Sequence, residues 1–330
     1  MILSNEMVKI DIKDRKILYH LYENSRQSLN NIGKKVGLSK ELVRYRINRL
    51  QNEGVIQQYT TRINTAALGY GAIRFYYSLQ FATPEIKKEI IDFFVQNKHT
   101  VGIFEFEGKY DLQVGIFSKF PDFSGEINSF YDEIQKKYRD YLDEQIGTAL
   151  IYIEMFDCSF LLEEKDRKPR SFMGIAKPLI KVDDFDIKIL RILNSDARTP
   201  TVDIAKKLNS TVTTIKTRMD KLMKGNIIRK FSIIIDWDKI GYRSYIVEIN
   251  LKNYNKKYEI MNYVRQNPNL WFIMGSIGHN IDLEFEFVLE SVTRLHEIIK
   301  DLSTTFPESI KNFQYFTLKK IHKYGAIPEI

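Results

Sequence analysis

The 330-residue chain has a single cysteine, Cys158, and five histidines that stand far apart. One cysteine excludes an internal disulfide and a cysteine metal cluster, and the histidines lack the spacing of metal ligands. No run of about 18 apolar residues occurs, and the first residues lack the basic head and apolar core of a secretory signal. We therefore expect a cytoplasmic protein with no membrane span, no metal and no other bound cofactor.

Charge is unevenly distributed along the chain, whose net charge is +8. The net charge is +6 for residues 1–70, −6 for 71–157, +2 for 158–179, +6 for 180–243 and 0 for 244–330. Two basic modules thus alternate with two that are acidic or neutral. We therefore expect the two basic modules to be the parts of the chain that attract a polyanion.

The sequence repeats itself at an offset of 172 residues. The aligned pairs include Asp14 with Asp186, Arg26 with Arg198, Arg46 with Arg218, Leu50 with Leu222 and Gly69 with Gly241. A register held over some sixty residues indicates a tandem duplication. The copies are joined by residues 158–179, whose charged composition, with two prolines and a glycine, is typical of a linker.

Each basic module has the pattern of a helix-turn-helix. Apolar spacing predicts helices over 14–23 and 29–36, with Asp11 capping the first. Gly37 can adopt the left-handed conformation that ends a helix, and Ser39 can cap the third helix. The second copy has an asparagine and a Ser-Thr pair at the corresponding turn. Alternating segments after each third helix predict the strands of a winged module, twice.

The third helix of each module turns a polar face outward. In the first copy, the inward stripe of Val43, Ile47 and Leu50 leaves basic and polar residues at the leading end of the helix. In this motif that end enters the major groove of double-stranded DNA. We predict base contacts from Lys40, Arg44, Tyr45 and Asn48, phosphate contacts from Arg46, Arg49 and Arg62, and further DNA contacts from Ser39, Thr213, Lys216, Thr217 and Arg218. The alternative is that these residues form the solvated face of an amphipathic helix.

Two stretches resemble the DNA-binding domain of the leucine-responsive/AsnC family of transcription regulators: "DIKDRKILYHLYENSRQSLNNIGKKVGLSKELVRYRINRLQNEGVI" and "VDDFDIKILRILNSDARTPTVDIAKKLNSTVTTIKTRMDKLMKGNII". The module after each stretch reads in the order βαββαβ of the ferredoxin-like fold. The resemblance implies an α+β chain of two tandem units, each a winged helix-turn-helix followed by a ferredoxin-like, RAM-type module. It also implies transcription regulation without catalysis, self-association through the ferredoxin-like modules and a small effector such as an amino acid.

The resemblance places the effector region at the hairpin turns of the ferredoxin-like modules. Gly108 and Asp111 in "EGKYDL" match the family's Gly-x-x-Asp turn, whereas Gly278 and Asp282 in "IGHNIDL" are spaced one residue wider. These four residues are the candidate effector contacts, and the wider spacing argues against a second pocket. The alternative is that each glycine permits a turn and each aspartate satisfies backbone donors.

The two recognition helices differ, although the family usually pairs two identical units. The outward residues Lys40, Glu41, Arg44, Tyr45 and Asn48 correspond to Val212, Thr213, Lys216, Thr217 and Asp220. Arginine can make a bidentate contact with guanine, while an aspartate facing phosphates has the wrong charge. We therefore predict an asymmetric DNA site at which the first module contributes more base-specific affinity.

Two other functions remain open from the sequence. The siroheme and heme-d1 precursor decarboxylases are similar to this family and use the same two-domain plan in paired or fused copies. In such an enzyme His99 and His279 would face an acidic tetrapyrrole, but Glu105 and Glu107 stand beside the first of them and would repel it. A pure assembly protein is the third alternative, against which the +6 charge of each basic module argues.

Overall fold

The computed structural model describes residues 7–119, 123–162, 169–174, 180–325 and 327. The helices of the first copy are α1 (Ile12–Glu23), α2 (Leu29–Val36), α3 (Lys40–Asn52), α4 (Pro84–Gln96) and α5 (Phe123–Tyr138). Its strands are β1 (Ile56–Ile63), β2 (Tyr70–Leu79), β3 (Thr100–Glu107), β4 (Leu112–Lys119) and β5 (Leu142–Phe156). Both predicted orders, three helices followed by a strand and then βαββαβ, are present.

The second copy repeats these elements after one additional strand. That strand is β6 (Pro169–Gly174). The helices are α6 (Asp184–Ser195), α7 (Thr201–Lys207), α8 (Val212–Lys224), α9 (Lys257–Val264) and α10 (Val292–Thr305). The strands are β7 (Ile228–Ile235), β8 (Arg243–Leu251), β9 (Leu270–Ile277), β10 (Leu283–Leu289) and β11 (Ile310–Tyr324). The predicted α+β class and tandem arrangement are confirmed.

Local sequence explains where the first helices begin and end. Asp11 caps α1 in a capping box, because its carboxylate accepts the amide of Asp14 at 2.8 Å and the Asp14 carboxylate accepts the amide of Asp11. Gly37 ends α2 with φ of +67°, which favours glycine. Asn209 takes the same position in the second copy with φ of +50°, a conformation that asparagine tolerates.

The strand that follows each helix-turn-helix pairs across the two copies. β1 and β7 form a two-stranded antiparallel sheet, with Thr60 opposite Ser232. Each winged module therefore completes its strand ladder with the other copy. Arg26 strengthens this junction, because its guanidinium donates to the carbonyl oxygens of Ala197 at 2.6 Å and Thr199 at 2.8 Å.

The two ferredoxin-like modules share one closed ring of eight strands. The order is β2-β4-β3-β11-β8-β10-β9-β5, and β5 also pairs with β2, while β6 adds to β5. The long strands β5 and β11 each pair first with their own copy and then with the other. The two ferredoxin-like modules thus pair with each other within one chain.

Helices cover the outer faces of the ring. α4 and α5 pack on the first module's strands through residues such as Phe94 and Phe130, and α9 and α10 pack on the second through Ile260 and Leu295. A smaller aromatic cluster that includes Phe316 lies inside the ring. Among the described residues, no helix has both the length and the apolar composition required to cross a membrane.

Part of the predicted linker is ordered and packed. Cys158 and Leu161 are fully buried in the core of the first helix-turn-helix, and β6 pairs with β5. Composition alone missed this packing, because the charged residues that suggested a linker follow the buried turn. Residues 163–168 and 175–179 of the predicted linker lie outside the described residues.

Candidate functional site

The leading face of α3 is polar, basic and exposed. Its inward residues Val43, Ile47 and Leu50 are buried, as predicted. The outward residues Lys40, Glu41, Arg44, Tyr45 and Asn48 are all exposed, and Tyr45 is 66% exposed. Exposed basic and amide groups on one helix face can reach base edges in a groove.

Ser39 stands at the start of this face and has a structural role. Its hydroxyl accepts the amide of Leu42 at 3.2 Å and so caps α3. In the second copy Thr211 does the same for Thr214 at 3.1 Å. The first turns of both recognition helices are therefore held in place by the chain itself.

The corresponding face of α8 is exposed but less basic. Thr213, Lys216 and Thr217 are exposed, and Asp220 lies on the same outward side. One cation and one carboxylate largely cancel on this face. The difference between the two recognition helices that we predicted from the sequence is therefore present at their surfaces.

Arg46 and Arg49 are held in ion pairs with the start of α1. Arg46 donates to Asp11 at 2.8 Å and to Asp14 at 2.9 Å, and Arg49 donates to Asp14 at 2.6 Å. These contacts raise the pKa of Arg46, first through hydrogen bonding to Asp11. Because Asp14 is almost fully buried, the two guanidinium groups compensate a buried carboxylate. Both arginines fix α3 against α1, and their phosphate contacts stay a prediction.

The second copy has equivalent ion pairs between α8 and the start of α6. Arg218 donates to Asp183 at 2.6 Å and to Asp186 at 3.2 Å, and Lys221 donates to Asp186 at 2.7 Å. Arg218 thus fixes α8 against α6, and its DNA contact stays a prediction. A signal for this role was present in the sequence, since Asp14 with Arg46 and Asp186 with Arg218 recur as two aligned pairs.

Arg62 is buried, so its predicted phosphate contact is wrong. Only 3% of the residue is exposed, and its guanidinium carbon lies 5.0 Å from the centroid of the Tyr324 ring. Burial lowers the pKa of Arg62. The β1–β7 ladder and the end of β11 cover this side chain, which the local sequence could not indicate.

The four predicted effector residues form the two hairpin turns. Gly108 and Gly278 adopt φ of +127° and +116°. Asp111 accepts the amide of Leu79 at 2.8 Å, and Asp282 accepts the amide of Leu251 at 2.7 Å. The aspartates thus hold equivalent positions despite their different spacing from the glycines. Both satisfy backbone donors, which is the structural alternative considered from the sequence.

One cavity of about 350 Å³ lies between the two turns. Its polar lining consists of Lys109, Tyr110, Asn250, His279, Asn280, Asn312 and Gln314. His279 has no hydrogen-bond partner on either ring nitrogen within the described part of the chain. Sequence reasoning missed this shared cavity, because it treated each turn as a separate site.

Three buried glutamates lie behind this cavity, all from the second copy. Arg74 from the first copy binds Glu284 through two hydrogen bonds of 2.7 and 2.6 Å. Burial raises the pKa of Glu248 to about 7, and the nearby charge of Glu284 adds to the shift. Burial likewise raises the pKa of Glu286 to about 7, although a hydrogen bond from Ser244 opposes it.

The raised pKa values of Glu248 and Glu286 predict that stability falls as the pH rises. Between about pH 4.3, the pKa of an unfolded glutamate, and pH 7 the folded chain binds more protons than the unfolded chain. We expect the urea midpoint to fall between about pH 5 and pH 8. The fall should be smaller in the Glu248→Gln/Glu286→Gln variant.

Two other titrating groups bear on the design of this measurement. Hydrogen bonding to His322 lowers the pKa of Glu105 to about 2, so its contribution is constant over the measured range. Burial lowers the pKa of His279, which makes stability rise with pH, but both proteins contain this histidine. The difference in slope therefore isolates the two carboxyl groups, and equal slopes would contradict the prediction.

Comparison with known proteins finds a helix-turn-helix family match in each basic module. Residues 10–57 match the family described as winged helix-turn-helix DNA-binding, and residues 182–223 match the AsnC-type helix-turn-helix domain. The HTH-type transcriptional regulator FL11 of Pyrococcus abyssi is 32% identical over 131 residues, which cover 38% of this chain and 81% of that protein. The chain belongs to the leucine-responsive/AsnC family of transcription regulators.

Other members of this family match the chain in a similar way. Regulatory protein AsnC of Haemophilus influenzae is 28% identical over 122 residues, covering 36% of this chain and 79% of that protein. Each of these two regulators corresponds in length to one of the two units found here. The leucine-responsive/AsnC unit therefore occurs twice in this chain.

The fold of the entire chain is similar to that of the siroheme decarboxylase NirDL. The two structures superpose over 96% of this chain and 94% of that chain, with a TM-score of 0.60 and 10% sequence identity. At this identity the similarity concerns the fold alone.

Proposed function

We propose that the chain is a transcription regulator that binds a specific double-stranded DNA site through α3 and, more weakly, through α8. The observation that carries the proposal is the exposed face of α3, on which Lys40, Arg44, Tyr45 and Asn48 point away from the core. The neighbouring Arg46 is held by carboxylates, so the face available to base edges is well defined.

Charge distribution supports the same function. Residues 1–70 and 180–243 each have a net charge of +6, which attracts a polyanion regardless of its sequence. The relatives compared above are named as transcriptional regulators, which favours regulation over catalysis.

Binding of the purified chain to genomic DNA fragments across a salt series tests the proposal. We expect affinity to fall steeply as salt rises, because phosphate contacts release counterions. We also expect a few fragments to retain binding when others have lost it. The same preparation should be checked for a bound pigment by its visible absorption spectrum.

Absence of DNA binding at low salt would refute the proposed function. Binding that never distinguishes among fragments would refute its sequence specificity. A tetrapyrrole spectrum together with either result would favour the decarboxylase-like alternative.

A second proposed role is effector sensing at the cavity between the hairpin turns. Lys109, His279 and several amides give this cavity a polar lining, which among the described residues has one side-chain ammonium and no aspartate or glutamate. Such a lining suits a small ligand that carries a carboxylate, and a volume of about 350 Å³ lies near the lower end for small-molecule sites. We expect Asp111 and Asp282 to support the turns without contacting the ligand.

Calorimetric titration of the chain with individual amino acids tests this role. We expect one or a few to bind, and the Lys109→Ala variant to bind them more weakly. Lys88→Ala is the matched control, because Lys88 is an exposed lysine on α4 that does not line the cavity. Equal weakening in both variants, or no binding of any amino acid, would contradict the proposal.

A further inference from the structure

The two ferredoxin-like modules meet through equivalent pairs of residues that differ in chemistry. On one side of the ring, β5 of the first copy pairs with β9 of the second, and Tyr152 lies opposite Gly275. On the other side, β11 of the second copy pairs with β3 of the first, and Lys320 lies opposite Glu105. Tyr152 and Lys320 hold the same place in their copies, as do Gly275 and Glu105.

Shape makes the first of these pairs specific. A Cβ atom added to Gly275 would lie 2.1 Å from the Tyr152 ring, closer than any side chain can approach. Any other residue at position 275 would require the Tyr152 ring to move away. The first copy offers Glu105 at the equivalent place, where this ring would meet a side chain.

Charge makes the second pair specific. The Glu105 carboxylate lies 2.8 Å from Nε2 of His322 and 3.3 Å from Nζ of Lys319, both on β11. Lys87 of its own copy adds a contact at 3.2 Å. At the places of His322 and Lys319, the first copy has Glu154 and Ile151 on β5.

On the opposite side of the ring, the carboxylate belongs to β5 of the first copy and the cation belongs to the second copy. Glu154 of the first copy accepts two hydrogen bonds from Arg265 of the second copy, at 2.9 and 2.5 Å. If β11 of a second copy took the place of β5, then His322 would face Arg265 instead. Inside the ring, Arg74 of the first copy meets Glu284 of the second, so the same complementarity extends to the buried interface.

We infer that these residues form a pairing code by which the first ferredoxin-like module accepts the second module and rejects another first module. Two first modules would set Tyr152 against Glu105 and place Glu154 beside the same carboxylate. Two second modules would replace Glu154 by His322 beside Arg265, which removes that ion pair, and would leave three buried glutamates without Arg74. Like charges and clashes across an interface suppress wrong partners. The inference does not depend on DNA binding.

Engineered cysteine pairs in the full chain can report which modules meet. Glu107 is the Cα partner of Thr317, and Ala149 is the equivalent partner of Ile277. Cα partners in an antiparallel ladder lie about 4.5–5.5 Å apart, within reach of a disulfide. Cys158 can stay in place because it is fully buried.

Three double variants distinguish correct from incorrect pairing on non-reducing gels. Glu107→Cys/Thr317→Cys detects the pairing of a first module with a second module, and we expect its disulfide to form almost completely. Glu107→Cys/Ala149→Cys detects the pairing of two first modules from different chains. Ile277→Cys/Thr317→Cys detects the pairing of two second modules from different chains. We expect disulfide-linked dimers of the last two at less than about one tenth of that yield. Comparable yields from all three would overturn the inference.

A further variant should reverse the preference. Replacing Tyr152 by lysine and Glu154 by histidine gives β5 the residues that β11 has at positions 320 and 322, of which Lys320 is the Cα partner of Glu105 and His322 contacts its carboxylate. Added to the Glu107→Cys/Ala149→Cys background, these changes are expected to raise the yield of linked dimer about tenfold, because they remove the clash and the like charge. Circular dichroism checks that this variant is folded. An unchanged dimer yield from the folded variant would count against the code, and the first three variants test it independently should this one fail to fold.

Discussion

The Arg74→Ala variant is expected to lose roughly 3–5 kcal/mol of unfolding free energy, the cost of breaking a buried ion pair. Arg74 and Glu284 are almost fully buried and are joined by two hydrogen bonds. Removing the guanidinium leaves Glu284 without its cation, in the same interior as Glu248 and Glu286. Urea unfolding followed by circular dichroism measures the change.

An exposed ion pair across the same modules serves as the matched control. Arg243 lies 3.9 Å from Glu107, and more than half of each side chain is exposed. Arg243→Ala should therefore cost only about 0–1 kcal/mol. The double variant Arg74→Met/Glu284→Leu should recover much of the lost stability, since it removes the unpaired charge. Similar losses for Arg74→Ala and Arg243→Ala would contradict the prediction.

On a mapped DNA site, Arg44→Ala is expected to reduce binding by about 1–3 kcal/mol and to relax the preference at one base pair. The guanidinium of Arg44 can donate two hydrogen bonds to guanine, whereas the equivalent Lys216 offers a single ammonium. Lys216 also shares its helix face with Asp220. Lys216→Ala should therefore cost less and should alter base preference less.

Fluorescence anisotropy at fixed salt concentration measures both losses on the same DNA. Lys88→Ala is again a suitable control, because it removes an exposed positive charge from α4 and leaves both recognition helices intact. Its effect should be small. Equal losses for Arg44→Ala and Lys216→Ala would contradict the asymmetric site.

Local sequence was sufficient to predict most helices and strands. The spacing of Ile17, Leu18 and Leu21 identified α1, and these three residues are fully buried. The predicted helix over 29–36 coincides with α2. Such elements are predictable because caps and apolar periodicity act over one or two turns.

The roles of individual arginines were harder to predict. Arg44 and Arg46 are two residues apart on α3, yet one is exposed and the other is held by Asp11 and Asp14. Arg62 was expected at the surface and is buried beside Tyr324, some 260 positions further along the chain. The presence of a basic residue in the sequence does not indicate which carboxylate or aromatic ring its side chain will contact in the fold.

By itself, the sequence determined that this chain is a tandem duplication of one α+β unit with two unequal recognition helices. These properties follow from composition, periodicity and an internal alignment, which need no knowledge of distant contacts. Only the tertiary structure decided that β1 pairs with β7, that both hairpin turns border one cavity and that Tyr152 lies over Gly275. The physical reason is that strand pairing and burial join residues far apart in sequence, so their partners are fixed only when the two copies pack together.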